Sequence, residues 1–514
     1  MTGGSRSNVL LLMTDQHRLD TLGCYGNEVC ETPALDGLAA SGTRFEHCYT
    51  PTAICTPARA TLLTGVLPFR HTLLANYERN VGYREELGGR FPPFSEALAD
   101  AGYRLGHVGK WHVGKENGPR EFGFDGEHYP GWGNPVRHPD YLRYLADRGL
   151  PEFRLRSEVR GSFPNGQPGN LLAGVLEQPV EATFEYFLAE RTIERLRSYA
   201  GHRRTDGRPF FLACHWFGPH LPYCLPESYY HRYDPAAVEL PASMAETFDG
   251  KPRVQRHYSA HWTFDSLPPD DWRQLIAAYW GYVSLIDSQV GRILRALEEL
   301  GMADDTAVLF TADHGEFTGS HRLHDKGPAM YDDIYRIPLL ARVPGSAGAA
   351  SAAGAAWPGG RVDDSFVTLA DLTPTFLDLA GLPAPAYFDG ASLLPLLREG
   401  RRPDRADHVV AEFHGHHFPY PQRMIRTRTH KLVVSPADDN ELYDLTADPH
   451  ELRNRYHDQA FAEVRRELLG TLYRVLRERG DNFYHWMTSM YDVGEKTYDA
   501  ALSHVDDHAG KGSE

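Results

Sequence analysis

The sequence predicts an α/β protein built on a mainly parallel sheet with helices on both faces, followed by a small C-terminal α+β unit. Three observations predict it. Short apolar, partly β-branched runs stop abruptly at polar residues: 8–14 at Asp15-Gln16, 103–108 at Gly109-Lys110-Trp111-His112, 209–214 at His215, and 306–312 at Asp313-His314. Segments long enough for helices separate them, such as 272–300, which stops at Gly301 as a C′ residue. Strands alternating with helices form a parallel sheet covered on both faces, and ligands then gather beyond the carboxyl ends of the strands. Beyond a charge- and proline-rich stretch at 399–407, the short runs 408–412, 423–427 and 431–434 precede a helical pattern over 460–479. That order predicts a small antiparallel sheet with a helix on it, and 441–444 reads as a turn.

The domain reading is therefore 1–400, 401–485 and a tail at 486–514 that leaves room for a dimer or tetramer contact. Ser346 to Gly360 is an Ala/Gly/Ser tract and reads as a flexible loop inside the first unit. A helical stretch is expected over 369–380.

Composition narrows the function. The 514 residues carry 53 basic and 69 acidic side chains, a net charge of −16. That balance argues against a nonspecific nucleic-acid binder, which needs a basic face, but leaves room for a small anionic substrate in a local basic pocket. Mean hydropathy is −0.46, and no apolar run approaches the ~18 residues of a membrane span. The six cysteines show neither a disulfide framework nor zinc-ribbon spacing, and no secretory leader is evident. The expectation is a soluble, cytoplasmic protein.

The sharpest motif is Cys55-Thr56-Pro57-Ala58-Arg59, running into Ala60-Thr61-Leu62-Leu63-Thr64-Gly65. Pro57 fits a first helical turn and Gly65 a helix stop. Cys55 then lies at a helix N-terminus, where the dipole favours negative charge, with Arg59 on the same face. By itself this also describes a buried cysteine at a helix cap. Asp15, Gln16, Asp313 and His314 stand at two strand ends, the donor types that a divalent cation needs.

Cys-x-Pro-x-Arg resembles the signature of the type I sulfatases, within the alkaline phosphatase superfamily. The resemblance extends over 8–455. It takes in 8–20 (NVLLLMTDQHRLD), 32–36 and 42–45, Gly109-Lys110-Trp111-His112, Pro219-His220-Leu221-Pro222, and Ala312 to Glu316 with Lys326-Gly327. Asp371 to Thr375 and Glu441 to Leu445 with Asp448-Pro449 match later landmarks. It implies an alkaline phosphatase-like fold with a large mixed sheet. It also implies oxidation of Cys55 to formylglycine by a formylglycine-generating enzyme, and hydrolysis of a sulfate ester by the aldehyde hydrate.

The same resemblance implies the roles. Asp15, Gln16, Asp313, His314 and modified Cys55 would hold one divalent cation. Calcium leads, but Gln16 and His314 stand where many relatives have aspartate and asparagine, which brings manganese or magnesium into range. Arg59, Lys110 and Lys326 would face the substrate anion, and His112 the aldehyde hydrate. His220 and Lys326 would flank the leaving oxygen, one of them as general acid. His414 and His416, in the histidine-rich 412–417 segment, are candidate substrate-rim residues or an exposed loop. Asn76, Arg79 and Trp132 are held as pocket candidates, and Lys115 as a surface residue. His215 reads as structural. The substrate is a small sugar, aryl or alkyl sulfate. The alternatives are a phosphonate monoester or phosphodiester hydrolase of the same superfamily, and a noncatalytic binding protein that keeps the fold.

Overall fold

A computed structural model describes residues 6–82, 84–163, 165, 167–262, 264, 267–344, 360–400 and 405–493. Its largest sheet has seven strands in the order Arg361–Thr368, Thr43–Tyr49, Leu339–Arg342, Thr306–Ala312, Asn8–Asp15, Phe210–Pro219, Arg104–Gly109. Only Leu339–Arg342 runs against its neighbours, so the sheet is mixed and mainly parallel. Every residue of Asn8–Asp15 and Thr306–Ala312 is buried, which explains their unbroken apolar runs. One face packs on the helices Phe184–Asp206 and Pro269–Glu299. The other packs on Cys55–Thr64, Phe94–Asp100 and Leu372–Leu379. The long helix stops at Glu299, and Gly301 takes the left-handed conformation expected of a C′ residue.

The C-terminal unit is a four-stranded antiparallel sheet, His408–His416, Phe418–Thr427, His430–Val434 and Glu441–Asp444, with the helix Ala462–Arg479 on one face. Its other face joins Tyr49, Ile54, Phe317 and Tyr335 in a shared apolar cluster, so this sheet forms a wall beside the start of the helix Cys55–Thr64.

Three details depart from the sequence reading. Residues 441–444 form a strand, with Leu442 opposite Leu432; four residues are too few to show alternation. The segment read as a tail from 486 begins inside a helix, Tyr484–Met490, whose Met487 is buried with Leu469 and Val493. Seven residues give too few turns to reveal a period. A three-stranded sheet of Leu155–Ser162, Pro168–Leu176 and Tyr223–Pro226 was not anticipated. The flexible-loop reading of 346–360 falls, except for Gly360, outside the described residues, as do 401–404 of the boundary and 494–514 of the tail. Among the described residues no helix is long and apolar enough to cross a membrane.

Buried histidines give the fold a pH limit. Burial pushes His17, His71 and His107 down to about 3, so all three are neutral in the folded chain. In the unfolded chain they titrate near 6.5 and take up protons first. Their contribution is complete above about pH 6.5 and is lost as pH falls toward 3. At pH 5 the loss is about 2 kcal/mol per histidine. The expected result is a thermal midpoint that declines from pH 7 to pH 5; a flat midpoint there would contradict it.

Candidate active site

The site lies beyond the carboxyl ends of the two central strands. Asn8–Asp15 delivers Asp15 and then Gln16, which takes a left-handed φ of 63°. Thr306–Ala312 delivers Asp313 and His314. Backbone and side chain lock the two ends together. The Gln16 amide donates to Asp313 Oδ1 (3.1 Å), as does the His314 amide (2.9 Å), and the His17 amide donates to the His314 carbonyl (2.9 Å).

The helix Cys55–Thr64 points its first residue at this corner, and all ten of its residues are buried. The Thr56 amide, left free at the helix start, donates to Asn76 Oδ1 (2.9 Å). Gly65 closes the helix in the left-handed conformation. Cys55 Sγ lies 3.2 Å from His314 Nε2, 3.6 Å from Asp15 Oδ1 and 3.9 Å from Asn76 Nδ2.

Asp15, Cys55, Asp313 and His314 each bring one donor atom into a group spanning no more than 4.8 Å, and all four are buried. The residues fit a divalent cation. His314 Nδ1 is tied to the Gly315 carbonyl at 2.8 Å, which leaves Nε2 turned toward Cys55 and the two carboxylates. Gln16 Nε2 donates to Glu316, and its Oε1 accepts from Lys326 (2.9 Å). Glu316 therefore decides which end of the amide faces the site.

Cations surround the carboxylates. Arg59 Nε donates to Asp313 Oδ2 (2.9 Å), Nη1 to the Lys110 carbonyl (3.0 Å), and Nη2 lies 3.8 Å from Asp15. Lys110 Nζ donates to Asp15 Oδ2 and to the Trp132 carbonyl (2.8 Å). Burial alone would raise Asp15; Lys110, with Arg59 and His314, outweighs it and holds the carboxyl well below its usual range. For His314, burial opposes the charge but Asp313 and Cys55 push it up to about 9. Lys110 follows Gly109, whose φ is 97°; a Cβ there would lie 1.9 Å from the His215 carbonyl oxygen, so only glycine allows this strand exit.

The opposite side is built by Lys326, His220 and Asp325. Lys326 Nζ lies 3.2 Å from His220 Nε2 and 3.0 Å from Asp325 Oδ1. His220 Nδ1 is 2.7 Å from the Leu221 carbonyl, so Nδ1 donates there and Nε2 accepts from Lys326. Burial, then Lys326, brings His220 down to about 3, while Asp325, Cys55 and Asp15 raise Lys326 well above its ordinary value despite burial.

The candidates from the sequence thus divide. Asp15, Gln16, Cys55, Arg59, Lys110, His220, Asp313, His314 and Lys326 converge. His112 is buried with a φ of 54°, packs edge-on to Tyr77 and has an Nδ1 without a hydrogen-bond partner. His416 sits beside the site, its Nδ1 2.7 Å from Tyr258 Oη. His414 turns elsewhere and pairs with Glu412 Oε2 at 2.5 Å, its same-face neighbour two residues back, while the ladder shift between Phe413 and Gly415 sets His416 apart from it. Arg79 and Lys115 are exposed partners of Glu85. Trp132 packs its ring on His220 (5.4 Å) as well as lending its carbonyl to Lys110. His215 is a buried partner of His107 (3.2 Å) and Arg59 (3.5 Å). The sequence reading gave no role to Glu316 or Asp325. The available signal was an acid directly beside a motif residue, after Gly315 and before Lys326.

The family profile "Sulfatase" matches residues 7–382, well over half of the chain. The chain belongs to the sulfatase family. It is a type I sulfatase of the alkaline phosphatase superfamily and a sulfuric ester hydrolase. Residues 319–478 also match the C-terminal part of N-sulphoglucosamine sulphohydrolase. The sulfatase is 30% identical to an uncharacterised sulfatase, YidJ, of Escherichia coli K12, over 94% of this chain and 90% of that protein. It is 26% identical to an N-acetylglucosamine-6-O-sulfatase of Bacteroides thetaiotaomicron, over 93% and 87%. Among solved structures, the phosphonate monoester hydrolase of Agrobacterium radiobacter superposes with a TM-score of 0.74 at 27% identity, covering 92% of this chain and 96% of that one.

Proposed function

We propose that this sulfatase hydrolyses a small sulfate ester at residue 55 after Cys55 has been oxidised to formylglycine, with one divalent cation held by Asp15, Gln16, Asp313 and His314. The observation that carries the reading is the convergence of Cys55 with those donors on one side and the Lys326–His220 pair on the other. The modified side chain would supply a hydrated aldehyde as nucleophile, and the cation Lewis acidity beside it. Mostly oxygen donors suit calcium, and the single imidazole brings manganese into range beside it. Cys55 is fully buried, so a maturation enzyme would have to act before this segment folds.

The chain's own residues divide the remaining work. Arg59 pairs with Asp313 and lies near Asp15, Lys110 holds Asp15 ionised, and the two cations set a positive field for sulfate oxygens. Lys326 is the proton carrier at the leaving oxygen. It is held charged, whereas His220 is neutral, gives its Nδ1 proton to Leu221 and orients the ammonium through Nε2.

The test is a panel of aryl, alkyl and sugar sulfates beside a phosphonate monoester and a phosphodiester, run on parent and Lys326→Met. Sulfate esters should have the higher kcat/KM in the parent. The variant should lose about 10²–10⁴-fold on alkyl and sugar sulfates, whose leaving groups need a proton, and much less on an activated aryl sulfate. An equal loss on both would remove Lys326 from proton transfer. The phosphonate arm matters because Gln16 is an amide where many relatives carry a carboxylate; faster phosphonate turnover would reverse the assignment.

A further inference from the structure

We propose that Glu78, His416 and His417 form a second cation site of the three-ligand type that suits zinc. It shares no residue with the Cys55 cluster. His416 ends the strand His408–His416, His417 occupies the turn before Phe418–Thr427, and Glu78 directly precedes the short helix Arg79–Gly82.

The three side chains face one another without satisfying one another. His416 Nε2 and His417 Nδ1 each lie 3.9 Å from Glu78 Oε1, and one donor atom from each residue falls within a 4.8 Å group. A separation of 3.9 Å is too long for a hydrogen bond. Glu78 Oε2 is buried and has no hydrogen-bond partner. A carboxylate oxygen left so is costly unless something else satisfies it. A cation held by the two imidazoles and by both carboxylate oxygens, Oε1 facing the rings and Oε2 beside it, would do so, and ligand bonds of about 2.0–2.2 Å need only a small contraction of the group.

The surroundings match a metal-binding histidine. His416 is buried, and its Nδ1 lies 2.7 Å from Tyr258 Oη, which leaves Nε2 directed at Glu78. A hydrogen bond on the far ring nitrogen is the usual way a ligating imidazole is oriented. The turn is fixed in shape. Gly415 has a φ of 144°, and a Cβ there would lie 2.2 Å from the Phe418 carbonyl oxygen; His417 has a φ of 67°, and its carbonyl accepts from Asn80 Nδ2 at 2.9 Å. The His417 side chain is 46% exposed, so the site opens to solvent on one side, where water or a ligand oxygen completes the coordination.

The test is binding, not turnover, and so stands apart from the sulfatase reading. Full-length protein is stripped with a chelator, loaded with zinc alone, passed through a desalting column and assayed for retained zinc. Parent should retain one equivalent more than His417→Ala or Glu78→Gln, and the same difference should persist on an Asp313→Asn background, which disables the first cluster. Tyr258→Phe should keep the stoichiometry but weaken affinity about 10–100-fold. His417 is half-exposed, so its replacement leaves the fold intact, which circular dichroism checks. Equal zinc in parent, His417→Ala and Glu78→Gln would overturn the proposal.

Discussion

Cys55→Ala should abolish turnover, with kcat/KM falling by about 10⁴-fold or more, while the chain still folds. The chemical reason is that alanine has no group to oxidise and none to attack sulfur. The structural reason is that the loss is small: Sγ has only weak, long contacts to Asp15 and Asn76 and one close approach to His314. Removing one buried atom of this kind costs about 1–2 kcal/mol. Peptide mass spectrometry of the parent, expressed beside a maturation enzyme, should show a loss of roughly 18 Da at residue 55, the exchange of a thiol for an aldehyde. Parent-like rates in the alanine variant would sink the mechanism. An unmodified thiol in fully active protein would do the same.

Arg59→Met should be the most damaging single change to the fold around the site. Arg59 is only 2% exposed, and it bridges the two central strand ends, bonding Asp313 and the Lys110 carbonyl and lying near Asp15. Methionine fills much of the volume but leaves Asp313 Oδ2 and the Lys110 carbonyl without their donor. Stranding a buried carboxylate costs about 3–5 kcal/mol. The urea midpoint in the presence of a chelator should fall accordingly, and Arg59→Lys should fall less, because it keeps the charge and loses only the fork. Adding divalent cation should restore part of the loss in the methionine variant, since the cation neutralises the same carboxylates. A midpoint unchanged by Arg59→Met would mean that water, not Arg59, satisfies Asp313.

Asp15, Gln16, Asp313 and His314 were legible in the sequence for a simple reason. Each directly follows a short apolar run, and a run that short ends where the sheet ends. Cys55 was legible because proline and glycine bracket its helix. Glu316 and Asp325 were not legible as site residues. Their importance lies in the amide and ammonium they orient, Gln16 and Lys326, and local spacing carries no trace of that. His414 and His416 looked equivalent, two residues apart on one strand. A single ladder shift near Gly415 sends them to different partners, and no periodicity argument sees a bulge before the pairing is known.

The mainly parallel sheet, the helix that begins at Cys55, the donor types at the strand ends and the family resemblance can all be read from the chain alone. These follow from local patterns of burial, helix punctuation and motif. The folded molecule was needed to show which acids orient the site, that Leu339–Arg342 runs antiparallel, that the C-terminal sheet walls the start of the helix Cys55–Thr64, and that Glu78 meets His416 and His417. Each of those joins residues far apart in the chain, and such contacts are set by packing across the whole molecule rather than by any local preference.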